Sequence, residues 1–170
     1  MAKLCMTKLF GIFIFLMSLS ATSFAQVDLY NESFNSAVPL PAGWASQNNS
    51  EPIGTTGWGQ GNAAVFPSNS GAPTAYIFAN FQNTAGTGII SNWLLMPNVT
   101  LTNGDVFKFY TSGTGSNFPD NLQVRMSLNG ASTNVGATSS DVGDFTTLLL
   151  EINPTLTVGT YPDVWTQYTI

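Results

Sequence analysis

The side chains that could do chemistry in this sequence are few. There is no histidine, and the single cysteine, Cys5, stands close to the N-terminus. Ser-His-Asp and Cys-His nucleophilic catalysis are therefore excluded, along with zinc, haem and iron–sulfur ligation by their usual donors. The remaining acids include three glutamates, Glu32, Glu51 and Glu151. Glycoside hydrolysis needs two carboxyls about 5–10 Å apart on rigid strands. These glutamates stand in separate segments without a Glu-x-Asp-x-x-Glu strand, so scattered solubilising charge accounts for them. Serine and threonine are abundant, but the only bases that could activate them are Lys108 and the carboxylates.

Four tryptophans offer indole faces to the apolar faces of sugars. Trp93 and Trp165 lie in strand-like runs, where burying a large ring stabilises a core, and they are expected inside. Trp44 follows Pro41-Ala42-Gly43 at a turn and is expected to cover one end of the fold. Trp58 sits in a glycine-rich loop, where binding residues concentrate. Trp58 and Trp44 are thus the candidate ligand-binding residues.

The chain has 170 residues and a net charge of −5. Lys3 and Lys8 precede an uncharged run, Leu9–Leu19, and Ser23-Phe24-Ala25 places small residues at −3 and −1 of a cleavage site. As a helix the run reaches only about 16 Å, against ~30 Å of hydrocarbon. Residues 1–25 are therefore expected to be a cleaved Sec signal peptide, with cleavage after Ala25, rather than a transmembrane anchor. The product is expected to be secreted or displayed on the cell surface. Cys5 precedes the apolar run and leaves with it, so the mature chain has no disulfide. That chain carries two cations, Lys108 and Arg125, against nine acids, a balance of −7. Two cations cannot neutralise a phosphate backbone, which excludes nucleic acid as a partner.

The elements that must position these residues are short and extended. Val27–Phe34, Ala75–Phe81, Gly88–Met96, Asp105–Thr111, Asn121–Leu128, Thr146–Ile152 and Val164–Ile170 are candidate strands. Leu122, Val124, Met126 and Leu128 alternate with Gln123, Arg125 and Ser127, which assigns one face of a sheet to the core and the other to water. Asn103-Gly104 and Asn129-Gly130 supply the positive-φ pairs of type I′ hairpin turns. Gln47–Asn62 is polar and glycine-rich and is expected to be a surface loop. No segment has a helical period. Many short strands with turn signals predict an all-β, antiparallel sandwich in one domain, 26–170.

Four segments carry a family likeness. They are Glu32-Ser33-Phe34 with Leu40-Pro41-Ala42-Gly43-Trp44; Gly57-Trp58; Ile90-Ser91-Asn92-Trp93-Leu94-Leu95-Met96-Pro97; and Leu122–Ser127 with Trp165-Thr166-Gln167-Tyr168. In this order they resemble the cleaved-adhesin / choice-of-anchor J family of secreted bacterial jelly-roll domains. The resemblance implies a β-sandwich of jelly-roll type, with the family's last strands missing after Ile170 and the domain therefore incomplete at its C-terminal end. It also implies a structural Ca²⁺ with Glu32 as a ligand. The family's partner aspartate in the final strand is absent, and Gln47-Asn48-Asn49-Ser50 stands where some relatives carry acids. The function expected is non-catalytic adhesion to a glycan or an extracellular protein. A structural spacer without its own ligand is the rival reading, and a glycoside hydrolase-like jelly roll the third.

Overall fold

The computed structural model describes residues 27–115 and 117–170. The leader assigned to residues 1–25 lies outside them. All ladders among the described residues are antiparallel, with one three-residue 3-10 turn at Phe81–Asn83 and no α-helix. None of their helices is long and apolar enough to cross a membrane. The all-β class is as the alternation predicts.

Ten strands form. They are β1 (Ala45–Asn48), β2 (Glu51–Ile53), β3 (Gly59–Gln60), β4 (Ile77–Phe78), β5 (Thr84–Ile89), β6 (Asn92–Leu95), β7 (Lys108–Thr111), β8 (Leu122–Met126), β9 (Thr147–Ile152) and β10 (Thr166–Thr169). Each ladder is two-stranded, and the pairs are nested: β1 with β6, β2 with β5, β3 with β4, then β7 with β10 and β8 with β9. The chain thus makes two long, doubled-back ribbons. In the first, one register runs from Ala45↔Leu95 to Glu51↔Ile89, slips by three residues at Ile53↔Thr84, and then holds to Gln60↔Ile77. Pro52 lies at this slip, where its missing N–H takes no hydrogen bond from the ladder. In the second ribbon, backbone bonds between Phe107 and Ile170 extend the β7–β10 register outwards.

Several expectations change. The expected surface loop Gln47–Asn62 contains the end of β1 and all of β2 and β3. Ser, Gln and Asn have weak strand preference, but their backbones are captured by the more apolar β5 and β6. The expected first strand, Val27–Phe34, joins no ladder. Its run is broken at Phe34, where φ is +50° and the backbone N–H turns back onto Glu32 Oε1 at 2.7 Å. Gly104 and Gly130 do take positive φ, yet neither Asn-Gly pair closes a two-residue hairpin. β7 finds β10, and β8 meets β9 only after a long excursion from Ser127 to Thr146.

Several contacts among the described residues join the ribbons. Gln47 Nε2 and Asn49 Nδ2 both donate to the carbonyl of Gly136, at 2.9 and 3.1 Å. Ser139 Oγ donates to Glu51 Oε2 at 2.5 Å. Trp93 packs obliquely on Phe145 with centroids 5.8 Å apart. Trp165 stands edge-on to Phe66 and Tyr76 and donates its Nε1–H to the Pro67 carbonyl at 2.8 Å. Trp93 and Trp165, expected inside, are half-buried and serve as these junctions. The buried apolar set among the described residues is small: Ala37, Ala75, Tyr76, Leu95, Val135 and Ile152.

Candidate functional site, an open trough between the ribbons

The apolar face predicted for a closed core lines an open space instead. Leu122, Val124 and Met126 of β8, with Phe107 beside β7 and Phe109 within it, are at most half-buried and border an open, trough-like space that more than half of the described residues share. Phe107 and Phe109 stack on one face at 5.6 Å, and Tyr168 of β10 continues the row at 5.7 Å. Large apolar side chains on the same wall remain in contact with solvent, Leu128 at 84% and Val106 at 52% exposure.

All three sequence-predicted site residues, Trp44, Trp58 and Glu32, are half-buried. Trp44 is fixed by its neighbours: Phe34 meets it edge-on at 4.9 Å, Tyr30 lies at 6.1 Å, and its Nε1–H donates to the Tyr30 hydroxyl at 2.6 Å. It is half-buried against these two rings. Trp58 precedes β3 and is half-buried, and its Nε1 is buried without a hydrogen-bond partner. Glu32 spends one carboxylate oxygen on the Phe34 N–H.

Calcium takes six to eight oxygens. Among the described residues no three acidic, histidine or cysteine side chains converge.

A network of asparagines that no periodicity announces sets the Trp58 loop. Asn48 Nδ2 donates to the Asn83 carbonyl at 2.7 Å and to that of Thr56 at 3.2 Å. Thr56 Oγ1 donates towards Asn83 Oδ1 at 2.8 Å and Asn80 Oδ1 at 2.9 Å. Asn83 is fully buried, and its own Nδ2, like that of Asn92, has no partner. The only hint in the sequence is the density of asparagine.

Two aspartates brace the excursion between β8 and β9. Asp144 accepts from Ser132 Oγ at 2.6 Å and Asn129 Nδ2 at 2.8 Å, and these bonds hold its carboxyl below the usual value of 3.8. Asp141 accepts from the N–H groups of Ala137 and Thr138, both at 2.9 Å, and is lowered likewise. A carboxylate depressed in the folded state contributes stability that is present above its unfolded pKa and lost as pH falls through the folded one. Thermal melts should be flat from neutral pH to about 4 and then drop as acid is added. Asp144→Asn should lower the melting temperature at pH 7 and shrink that acid-side loss. An unchanged acid limb would refute the bracing.

No family model matches the chain, and no match is found among curated proteins or solved structures. Fold and site together define a class: an antiparallel all-β protein with an aromatic-walled open trough.

Proposed function

We propose that this chain is a secreted or surface-displayed, non-catalytic binding domain that uses jelly-roll wiring to recognise a glycan or an extracellular protein. One observation carries the reading: the loop residue Trp58, just before β3, keeps a buried indole N–H with no hydrogen-bond partner among the described residues. Indole rings are amphipathic surfaces for sugar or peptide, and concave sites with a few polar groups are where ligands settle. Nested pairing supports the jelly-roll wiring, because a jelly roll is a doubled ribbon wrapped on itself. The leader Met1–Ala25 supports export.

A glycan array and a panel of matrix proteins, probed with the exported and processed chain, test the reading. Trp58→Phe is the matching variant. It deletes an indole N–H that has no partner, and leaving such a donor buried costs about 1–3 kcal/mol, which offsets the lost ring area. The melting temperature should stay within roughly 3 °C of the parent, while affinity for the captured ligand falls at least five-fold. Absence of any ligand on both surfaces, or full affinity in Trp58→Phe, would contradict the reading and leave the spacer role.

A further inference from the structure

The geometry points to Asn103 as a modification site, where the chain converts its own side-chain amide to a carboxylate without an enzyme. The sequence holds two Asn-Gly pairs, Asn103-Gly104 and Asn129-Gly130. Asparagine is chemically labile. A following glycine lets the next backbone nitrogen approach its side chain, because no Cβ stands in the way. Both pairs are exposed, so solvent reaches both. Their hydrogen bonds separate them.

Asn103 and Gly104 are the two middle residues of a turn closed by the Asp105 N–H on the Thr102 carbonyl at 3.1 Å. Gly104 takes φ +102°, and a methyl group added there would meet nothing within 4 Å. Asp105 Oδ2 is taken up by the Thr102 N–H at 2.6 Å and the Thr102 hydroxyl at 3.1 Å. No hydrogen bond among the described residues engages the Asn103 amide or the Gly104 N–H. The carboxamide therefore turns onto the glycine nitrogen without giving up a bond of its own.

Asn129 is held. Its Nδ2 donates to Asp144 Oδ2 at 2.8 Å, and its backbone N–H donates to Ser127 Oγ at 3.0 Å. Turning that carboxamide onto Gly130 breaks a charge-assisted bond. The Asp144 carboxylate beside it also opposes the negative oxygen that forms on Cγ during attack.

The step balances with water as the only co-reactant. The Gly104 nitrogen gives its proton to solvent and bonds to Asn103 Cγ. Nδ2 takes up a proton and leaves as ammonia, so that a succinimide remains. Water then opens one of the two carbonyl–nitrogen bonds of the ring. Opening at Cγ gives aspartate; opening at the main-chain carbonyl gives isoaspartate, whose backbone runs through Cβ. Either product adds one negative charge to the turn that leads into β7. Nothing restores the lost ammonia, so the product accumulates with the age of the protein, whatever ligand the chain binds.

Peptide mapping by mass spectrometry tests the proposal on the processed chain, incubated folded in mildly alkaline ¹⁸O-labelled water. Asn103 should convert at least ten-fold faster than Asn129, a barrier difference of about 1.4 kcal/mol. Each event should carry one ¹⁸O, with isoaspartate among the products. In urea, where the Asp144 bond is gone, the two rates should come within about two-fold of each other. Asp144→Ala, checked for folding by circular dichroism, should speed Asn129 at least five-fold and leave Asn103 unchanged. Asn103→Gln should abolish the fast event. Equal rates in the folded chain overturn the proposal, and so does an Asn103 that stays intact when folded yet converts in urea. A ratio that persists in urea does the same, because flanking sequence would then set it.

Discussion

Gly54→Ala lowers the melting temperature by about 10 °C, the cost of roughly 3 kcal/mol of overpacking at a site that cannot relax. A methyl group at this position would stand 1.9 Å from the Gln82 carbonyl oxygen, 2.6 Å from the Asn83 carbonyl carbon and 2.7 Å from the Thr84 nitrogen. All three are backbone atoms, so no rotamer change makes room. Gly54 also donates to the Asn83 carbonyl at 3.0 Å, and Thr55 to that of Gln82 at 2.9 Å. The substitution would therefore push apart the contacts that carry the register across its three-residue slip. Gly57→Ala, three residues on, is the control. Its added methyl meets nothing within 4 Å and its φ is not positive, so alanine there should be neutral or stabilising by a few tenths of a kcal/mol. Equal melting temperatures for the two variants would show that the slip is not where the first ribbon is fixed.

The larger effect belongs to Tyr76→Ala, expected to cost about 3–5 kcal/mol. Tyr76 is among the few buried apolar side chains, stacked on Phe66 at 5.1 Å and edge-on to Trp165 at 5.5 Å. Its hydroxyl accepts from the Asn62 N–H and donates to the Asn62 carbonyl, both at 2.9 Å. Gly61 lies under the ring so closely that a methyl there would come within 2.4 Å of it. Trp165 belongs to the second ribbon, so the ring that closes the tip of the first ribbon is also the surface that docks the second. Loss of Tyr76 should abolish much of the near-ultraviolet circular dichroism and release the Trp165 junction. Tyr76→Phe, which loses only the hydroxyl bonds, should cost about 1 kcal/mol. If alanine and phenylalanine behave alike, ring packing is not what couples the ribbons.

The strand class and six of the seven expected strand positions were legible from alternation, because apolar residues at every second position bury one face whatever the partner. Asn121–Leu128 and Thr146–Ile152 became β8 and β9 with only their ends trimmed. Gly88–Met96 divided between the end of β5 and β6, since Ser91 turns to serve Asn49 and Ser50 across the ribbon. Polar strands were invisible for the opposite reason. Gln47 and Asn48 are held in β1 by the register opposite Trp93 and Asn92, a long-range constraint that leaves no periodicity in their own composition. The Asn-Gly pairs named turns correctly but not their partners, because turn chemistry fixes a local φ and the nested wiring fixes which strands meet.

Of the candidate site, the tryptophans were legible as ring types in turns or loops, and the structure leaves both Trp58 and Trp44 half-buried. The asparagine network beneath Trp58 was not, because Asn48, Thr56 and Asn83 converge from three segments. Nor was the openness of the trough. Alternation predicts that Leu122, Val124 and Met126 share a face, but says nothing about whether anything lies against it.

Residue-resolved amide hydrogen exchange on the processed chain tests most directly whether two open ribbons flank the trough. A strand paired on one side only has half its N–H groups pointing at its neighbour and half at solvent. Along β6, β8 and β9 protection should therefore alternate, slow and fast at successive residues. Unbroken protection of successive amides in these strands would mean that both edges are already paired, and the trough described here would not exist.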